Sequence, residues 1–242
     1  CIQGSGYKYS RNMNNTAIPV ITIDGPSGAG KGTVAQMLAL DLGWNILDSG
    51  ALYRTLAYYF EKEGLEPEDL VNNFEEIRKD FIVHFEAGIP GQPVQIFFQN
   101  QDITNLVRTE EAAKKTSLIA ANPDVRAFIK PSQRDFMALP GLIADGRDMG
   151  TVIFPDADLK IYLTASIEER AKRRQVQLKR QGSEVNMRVL LEELEDRDKK
   201  DTEREHSPLK PADDSLIIDT SNLDPIGVIK EIKSQPLSFL KK

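Results

Sequence analysis

The chain has 242 residues, 40% hydrophobic and 28% charged, an ordinary balance for a folded globular protein. Its formal charge of −6 offers no basic surface for nucleic acid. A single cysteine, Cys1, excludes an intrachain disulfide or a cysteine-rich metal centre, and two histidines, His84 and His206, are too few for a histidine metal cluster. No apolar run reaches the length of a membrane-spanning helix, and low cysteine usage fits a reducing cytosol, so a cytoplasmic protein is expected. The opening CIQGSGYKYSRN has no apolar core and does not read as a signal peptide. Residues 1–16 are expected to be a disordered or appended tail.

The first predicted element is the strand Val20–Asp24, apolar on both faces as a buried parallel strand requires. Gly25-Pro-Ser-Gly-Ala-Gly-Lys-Gly-Thr33 follows, and a helical pattern runs from Lys31 to about Leu42, with Gly43 as its stop. Strand, glycine-rich turn and helix is the setting of a phosphate loop. Gly25, Gly28 and Gly30 permit a backbone that turns successive N–H groups inward around an anion. The helix start adds its positive end, and Lys31 adds a flexible point charge for the β- and γ-phosphates. The Ser or Thr that usually follows the lysine and holds Mg²⁺ is here Gly32, with the hydroxyl one residue later at Thr33. This GKGT form resembles the loops of nucleoside-monophosphate kinases. It points to phosphoryl transfer between small molecules rather than to a switch GTPase.

Asn45–Asp48 reads as a second strand, with Ser49 as the N-cap of the helix that follows. From about Glu61 the texture changes. Glu66–Lys79 is acidic and helical, Phe81–Phe85 and Val94–Phe98 read as antiparallel strands, and Asn100–Asp102 reads as a turn. Residues 62–104 are therefore expected to form an insert. The residues by themselves allow a passive β-rich decoration as readily as a lid over an acceptor. Helices resume over Thr109–Ala121 and Asp124–Met137, divided at Asn122-Pro123. Leu142–Asp145 is a buried strand leading into Gly146-Arg147-Asp148, and Leu159–Leu163 is the fourth strand. Charged helices cover 166–181 and 185–204, Ser215–Asp219 is the last strand, and Pro225–Lys233 closes the chain pattern.

The expected fold is α/β: a three-layer phosphate-loop arrangement with a five-stranded parallel sheet flanked by helices, a small β-containing insert and a short lid. Ligands of such sheets sit at the carboxyl ends of the strands, where the glycine loop, Asp48-Ser49 and Asp145–Asp148 fall. Phosphoryl transfer depends on positioning and charge neutralisation, and the arginine fork grips phosphate oxygens in pairs. Candidates are Arg54, Arg147, Arg170, Arg174, Arg197 and Arg204. Spacing alone also allows plain solvated faces: Arg170, Arg173 and Arg174 lie at helical spacings, and Arg197, Asp201 and Arg204 recur as intrahelical ion pairs would. Asp48 and Asp145 read first as groups that orient arginines or magnesium waters, with capping or surface carboxylates as the lesser alternative.

Together, GPSGAGKGT, LDSGALYR, the segment Leu142–Phe154, SIEERAKRR and the run Arg197–Arg204 resemble bacterial cytidylate kinases, from about Ile18 to Ile232. The resemblance implies ATP phosphates on Gly25, Ser27, Gly28, Ala29, Gly30, Lys31, Gly32 and Thr33, with Lys31 bridging donor and acceptor. It implies Arg54, Arg147 and Arg204, with Arg197, on the acceptor phosphate; Ser117, Arg126 and Asp148 on the cytosine edge; and Asp201 on the sugar. Ser49 and Tyr53 would line the acceptor site, and Arg170 and Arg174 would lie in or beside a lid over ATP. One kinase domain, 17–242, would comprise a core (17–61, 105–169 and 184–242), an acceptor-binding insert (62–104) and a lid (170–183). Cytosine donates from its exocyclic amine and accepts at N3 and O2, which suits a carboxylate at Asp148 and donors at Arg126 and Ser117. Uracil would set an oxygen against Asp148.

The expected activity is transfer of the γ-phosphoryl group of ATP to CMP or dCMP, with Lys31, Arg147, Arg197 and Arg204 as catalytic residues. Mg²⁺ would be held through ATP and waters, with Thr33 as the candidate protein ligand. No general base is needed, because the attacking phosphate oxygen is already an anion. No nucleic-acid or membrane partner is expected, and the chain is expected to be a monomer. Two other readings stay open. One is another small-molecule kinase of this fold, acting on UMP, AMP or a metabolite hydroxyl. The other is a nucleotide-dependent switch, against which stand the GKGT loop and the lack of an Asn-Lys-x-Asp motif.

Overall fold

The computed structural model describes residues 18–89, 92–180, 182 and 185–235; the expected tail, 1–16, lies outside them. In chain order, β1 (Val20–Asp24), α1 (Lys31–Leu42), β2 (Asn45–Asp48), α2 (Ser49–Glu63) and α3 (Asp69–Asp80) come first. The strands β3 (Val83–Glu86), β4 (Gln95–Phe98) and β5 (Gln101–Asp102) and the helices α4 (Thr104–Val107), α5 (Glu110–Ile119) and α6 (Pro123–Asp135) follow. Then come β6 (Leu142–Asp145), a π-helical turn (Met149–Ile153), β7 (Leu159–Thr164), α7 (Ile167–Arg180), α8 (Met187–Thr202), β8 (Leu216–Asp219) and α9 (Pro225–Lys233).

Five strands form one parallel sheet in the order β2-β6-β1-β7-β8, as the alternation of short apolar runs and helices predicts. Every residue of the central strand β1 is buried, because helices cover both faces. Ile21 and Ile23 pack with Val34 and Leu38 of α1 and with Val228 and Ile232 of α9. Val20, Leu142 and Ala144 pack on the other face with Leu52 and Leu56 of α2 and Val125 and Phe128 of α6. The register aligns Asp145 with Ile23 on one side and with Asp48 on the other, so three strand ends bring Asp24, Asp48 and Asp145 to one edge.

The insert carries a three-stranded antiparallel sheet, β3-β4-β5. The expected turn at Asn100–Asp102 is displaced. Gln99 and Asn100 turn with positive φ (49° and 65°), and Gln101–Asp102 returns as β5, a tight two-residue hairpin. An aromatic cluster joins the insert to the core. Phe98 lies 5.5 Å from Tyr59 and 6.0 Å from Phe81, and Phe128 lies 5.7 Å from Phe81 and 5.3 Å from Phe74 of α3. A second correction concerns the start of α2. The cap is Asp48, whose Oδ1 accepts from Ala51 N at 2.8 Å from an extended backbone, while Ser49 is already helical.

Phe128 is fully buried and holds α6, α3 and the end of the insert's helical part in one cluster. Phe128→Ala is expected to lower the unfolding free energy by about 3–5 kcal/mol. Urea denaturation checks this, and a loss below about 1 kcal/mol would mean that the insert does not share the core's stability.

Candidate active site

The glycine loop is shaped by what lies behind it. At Gly25, φ is +145° and a Cβ would sit 2.0 Å from the carbonyl oxygen of Leu163 in β7, so only glycine fits between the strands. The loop's outward carbonyls are held by side chains. Lys31 Nζ donates to Pro26 O at 2.9 Å, Arg170 Nη1 to Ser27 O at 3.2 Å, and Thr220 Oγ1 to Ala29 O at 3.1 Å. Arg173 in turn donates to Thr220 Oγ1 and to its carbonyl. Carbonyls engaged by these side chains are withdrawn as competitors for an anion, which the loop's N–H groups would bind.

Asp24 ties this loop to the one after β6. Its two carboxylate oxygens accept from Met149 N and Gly150 N, each at 2.8 Å, and so fix the π-helical turn that follows Arg147 and Asp148. Burial pushes the Asp24 carboxyl up to about 6, against the pull of those two backbone donors.

Cations converge above the loop. Asp201, 2% exposed, pairs with both Arg147 and Arg204, and Arg126 pairs with Asp148. Burial pulls Arg197 down to about 10, with Arg147 as the next cause. Arg54, Arg174 and Arg204 are also lowered, chiefly by burial, and each lies within the field of at least one other charged member of the group. Lys31 is lowered by burial, with Asp145 opposing and Arg147 and Arg197 adding to the fall. Burial pushes Asp145 up, against Lys31. Clustered cations with lowered basicity are a site that gains from an incoming anion.

The structure therefore brings together Lys31, Arg54, Arg147, Arg197 and Arg204 with Asp201, and sets Arg126, Asp148 and Tyr53 beside them. The Arg126 guanidinium lies 6.0 Å from the buried Tyr53 ring. Arg54 also donates to Val107 O at 2.9 Å, and Arg174 pairs with Glu110 of α5. Arg170 differs from the expectation of a lid residue free for ATP. It is 5% exposed, donates to Ala165 O and Ser27 O, pairs with Asp198 at 2.6 Å, and braces the glycine loop from behind. Residues 170–180 continue helix α7. Ser117 is half-buried on α5 and makes no hydrogen bond to Arg126 or Asp148, Arg126 donating instead to Ala120 O and Asp148. Asp48 proves to be both cap and ion-pair partner, meeting Arg108 at 3.1 Å.

For a hard cation, the oxygen donors at the loop are the exposed Thr33 and the Asp145 carboxylate. The latter reaches to 3.4 Å from where a Cβ on Gly32 would stand, an ordinary contact distance that sets the Asp145 carboxylate beside the loop. Among the described residues no group of three or more His, Cys, Asp or Glu side chains forms a metal cluster, and no helix is long and apolar enough to cross a membrane. A cavity of about 250 Å³ opens along α6, with Arg126, Lys130 and Gln133 on that wall and Tyr53 of α2, Ile153 of the π-helical turn and His206 around it. Sequence reasoning missed Asp24, Gln133, Asp198 and Thr220. Only Asp24 carried a signal, as the last residue of the strand before the glycine loop.

These features define an α/β protein with a glycine loop of the phosphate-binding type and an arginine-rich cleft. Residues 21–236 match the family model of cytidylate kinase. The chain is 50% identical over 225 residues to a cytidylate kinase of Pseudomonas putida (strain W619), covering 91% of this chain and 96% of that protein. It is 50% identical over 221 residues to one of Pseudomonas entomophila (strain L48), with 90% and 95% covered. It is also 48% identical over 223 residues to one of Nitrosococcus oceani, with 92% and 96% covered. The chain belongs to the cytidylate kinase family.

Asp24 yields a pH prediction. A carboxyl whose folded value is raised from 3.8 to about 6 favours the folded state while protonated. That contribution is complete below about pH 4 and is lost as pH rises through 6. Asp24→Asn should therefore gain stability relative to the parent between pH 4 and 7, by up to roughly 3 kcal/mol. It should also lose about tenfold in activity, because one of the two backbone donors loses its acceptor. Urea melts at several pH values read the first effect, and a pH-independent difference between the two proteins would refute it.

Proposed function

We propose that the protein transfers the γ-phosphoryl group of ATP to CMP or dCMP, giving ADP and CDP or dCDP. The observation that carries the reading is the group of desolvated cations around Lys31 and Arg147, beside the Arg126–Asp148 pair. The donor's phosphates lie on the backbone N–H groups of Ser27–Thr33, with Lys31 reaching the transferred group. Arg54, Arg147, Arg197 and Arg204 neutralise the acceptor phosphate and the charge that builds during transfer. Asp201 holds Arg147 and Arg204 at a fixed separation, which limits the reorganisation needed at the moment of reaction.

Mg²⁺, carried on ATP, supplies further neutralisation of the phosphates, and Thr33 and Asp145 are the residues placed to meet it or its waters. Asp148 accepts from the cytosine amine and Arg126 donates to its ring acceptors, whereas uracil sets an acceptor against Asp148. The insert 62–104 acts as a closing element that excludes water from the transferred group.

The test is ADP formation from MgATP with CMP, dCMP, UMP, AMP or no acceptor, measured side by side. Turnover with CMP and dCMP is expected to exceed the others by at least about 100-fold. Preference for another acceptor would indicate a different small-molecule kinase, and acceptor-independent turnover would indicate a nucleotide switch. Lys31→Ala is expected to lower kcat by about 10³-fold. Asp148→Ala should shrink the ratio of kcat/KM for CMP over UMP by about tenfold or more. An unchanged ratio would remove Asp148 from base recognition.

A further inference from the structure

Gln133 stands in the last turn of α6, 1% exposed, on the wall of the cavity that Tyr53 and Arg126 share. Its Nε2 donates to Ser49 Oγ at 2.8 Å across 84 residues of sequence, and its Oε1 is buried with no hydrogen-bond partner. A buried amide with an unpaired carbonyl is unfavourable, and its presence calls for a physical account. The orientation is the less costly of the two. Turned over, the amide would accept from Ser49 and leave both N–H donors unpaired, where the present orientation leaves one N–H and the carbonyl, and an orphaned N–H is the rarer of the two.

The consequence falls on Ser49. It is 5% exposed, opens α2 one turn before Tyr53, and among the described residues its one recorded side-chain hydrogen bond is the one it accepts from Gln133. A serine hydroxyl carries a single proton. With the lone pair on the α6 side occupied by an N–H, that proton turns away from α6. Arg126 lies seven residues before Gln133 on the same face of α6, paired with Asp148. The bond from Gln133 to Ser49 thus also ties α6, which walls the cavity, to α2, whose Tyr53 lines it.

We propose that Gln133 is a positioning residue for the acceptor nucleotide. By donating to Ser49 it fixes that hydroxyl as a donor toward an acceptor atom of the bound nucleotide. This rests on the reading above that the cytosine meets Arg126 and Asp148, Arg126 lining the same cavity as Gln133. A residue that merely filled space would be replaceable by any side chain of the same volume.

The full chain is assayed with MgATP and CMP as the parent, Gln133→Met, Gln133→Glu, Ser49→Ala and the Ser49→Ala/Gln133→Met double variant. Methionine keeps the volume and removes the donor. Glutamate keeps the shape but offers only acceptors at neutral pH, and so draws the Ser49 proton toward α6. KM for CMP is expected to rise about tenfold with methionine and further with glutamate, with KM for ATP within about twofold and kcat within about threefold. Ser49→Ala should match Gln133→Met, and the double variant should add nothing to either, because both remove one interaction. Equal rises in KM for both substrates, a fall in kcat alone, or additive effects in the double variant would overturn the proposal. Should Gln133→Met fail to fold, Gln133→Glu decides, and a KM for CMP equal to the parent's overturns it. A parent that does not phosphorylate CMP removes the functional reading. A parent that does, with unmoved variants, removes only the role of Gln133.

Discussion

The structure depends on holding like charges close together. Lys31, Arg54, Arg147, Arg174, Arg197 and Arg204 converge on one partly desolvated cleft, and only a few carboxylates, chiefly Asp201 and Asp145, stand against them. Folding alone gives little reason to assemble such a group, because each cation loses hydration and meets its neighbours' repulsion. A group of this kind becomes favourable when anions enter, and such a difference between empty and occupied cleft is free energy that a phosphoryl-transfer site can use. Asp201 is central because one buried carboxylate fixes two arginines that arrive from different elements.

That crowding can persist only on a rigid support. The parallel sheet provides it. β1 is buried on both faces, and the register between β1, β2 and β6 places the three loops that carry the site side by side. Asp24 then clamps the β6 loop to β1, and Arg170, Thr220 and Lys31 hold the carbonyls of the glycine loop. The Arg170–Asp198 pair links the loop to both α7 and α8, and α8 carries Arg197 and Asp201. Loop and arginine cluster are therefore mechanically continuous. The insert follows the same logic on the other side, joined to the core through Tyr59, Phe81, Phe98 and Phe128.

Most of the fold was legible from local pattern. Short apolar runs between helices fixed five parallel strands, and β1, α1, β2, β6 and α9 fall where the apolar spacing, Gly43 and Pro225 put them. The failures were local competitions. Asp48 took the cap from Ser49 because its carboxylate reaches Ala51 N from an extended backbone. The hairpin turn moved to Gln99-Asn100 because cross-strand pairing continues through Gln101 and Asp102. The π-helical turn after Asp148 had no local signal, since the partner that stabilises it, Asp24, is more than a hundred residues away.

By itself the sequence determined the chemistry available: a glycine loop that only a strand–turn–helix can use, a lysine at its end, and arginines in numbers that phosphate demands. Those follow from steric freedom and side-chain charge, which are properties of residues and short spacings. Which arginine grips, which braces and which pairs was decided by tertiary structure alone. Arg170 and Arg174 share one helix at i and i+4, yet one is sealed behind the glycine loop against Asp198 and the other reaches across to Glu110. Gln133 meets Ser49 only because α6 packs against α2. Burial and partnership arise from contacts between distant segments, and no local pattern encodes the desolvation that gives these groups their roles.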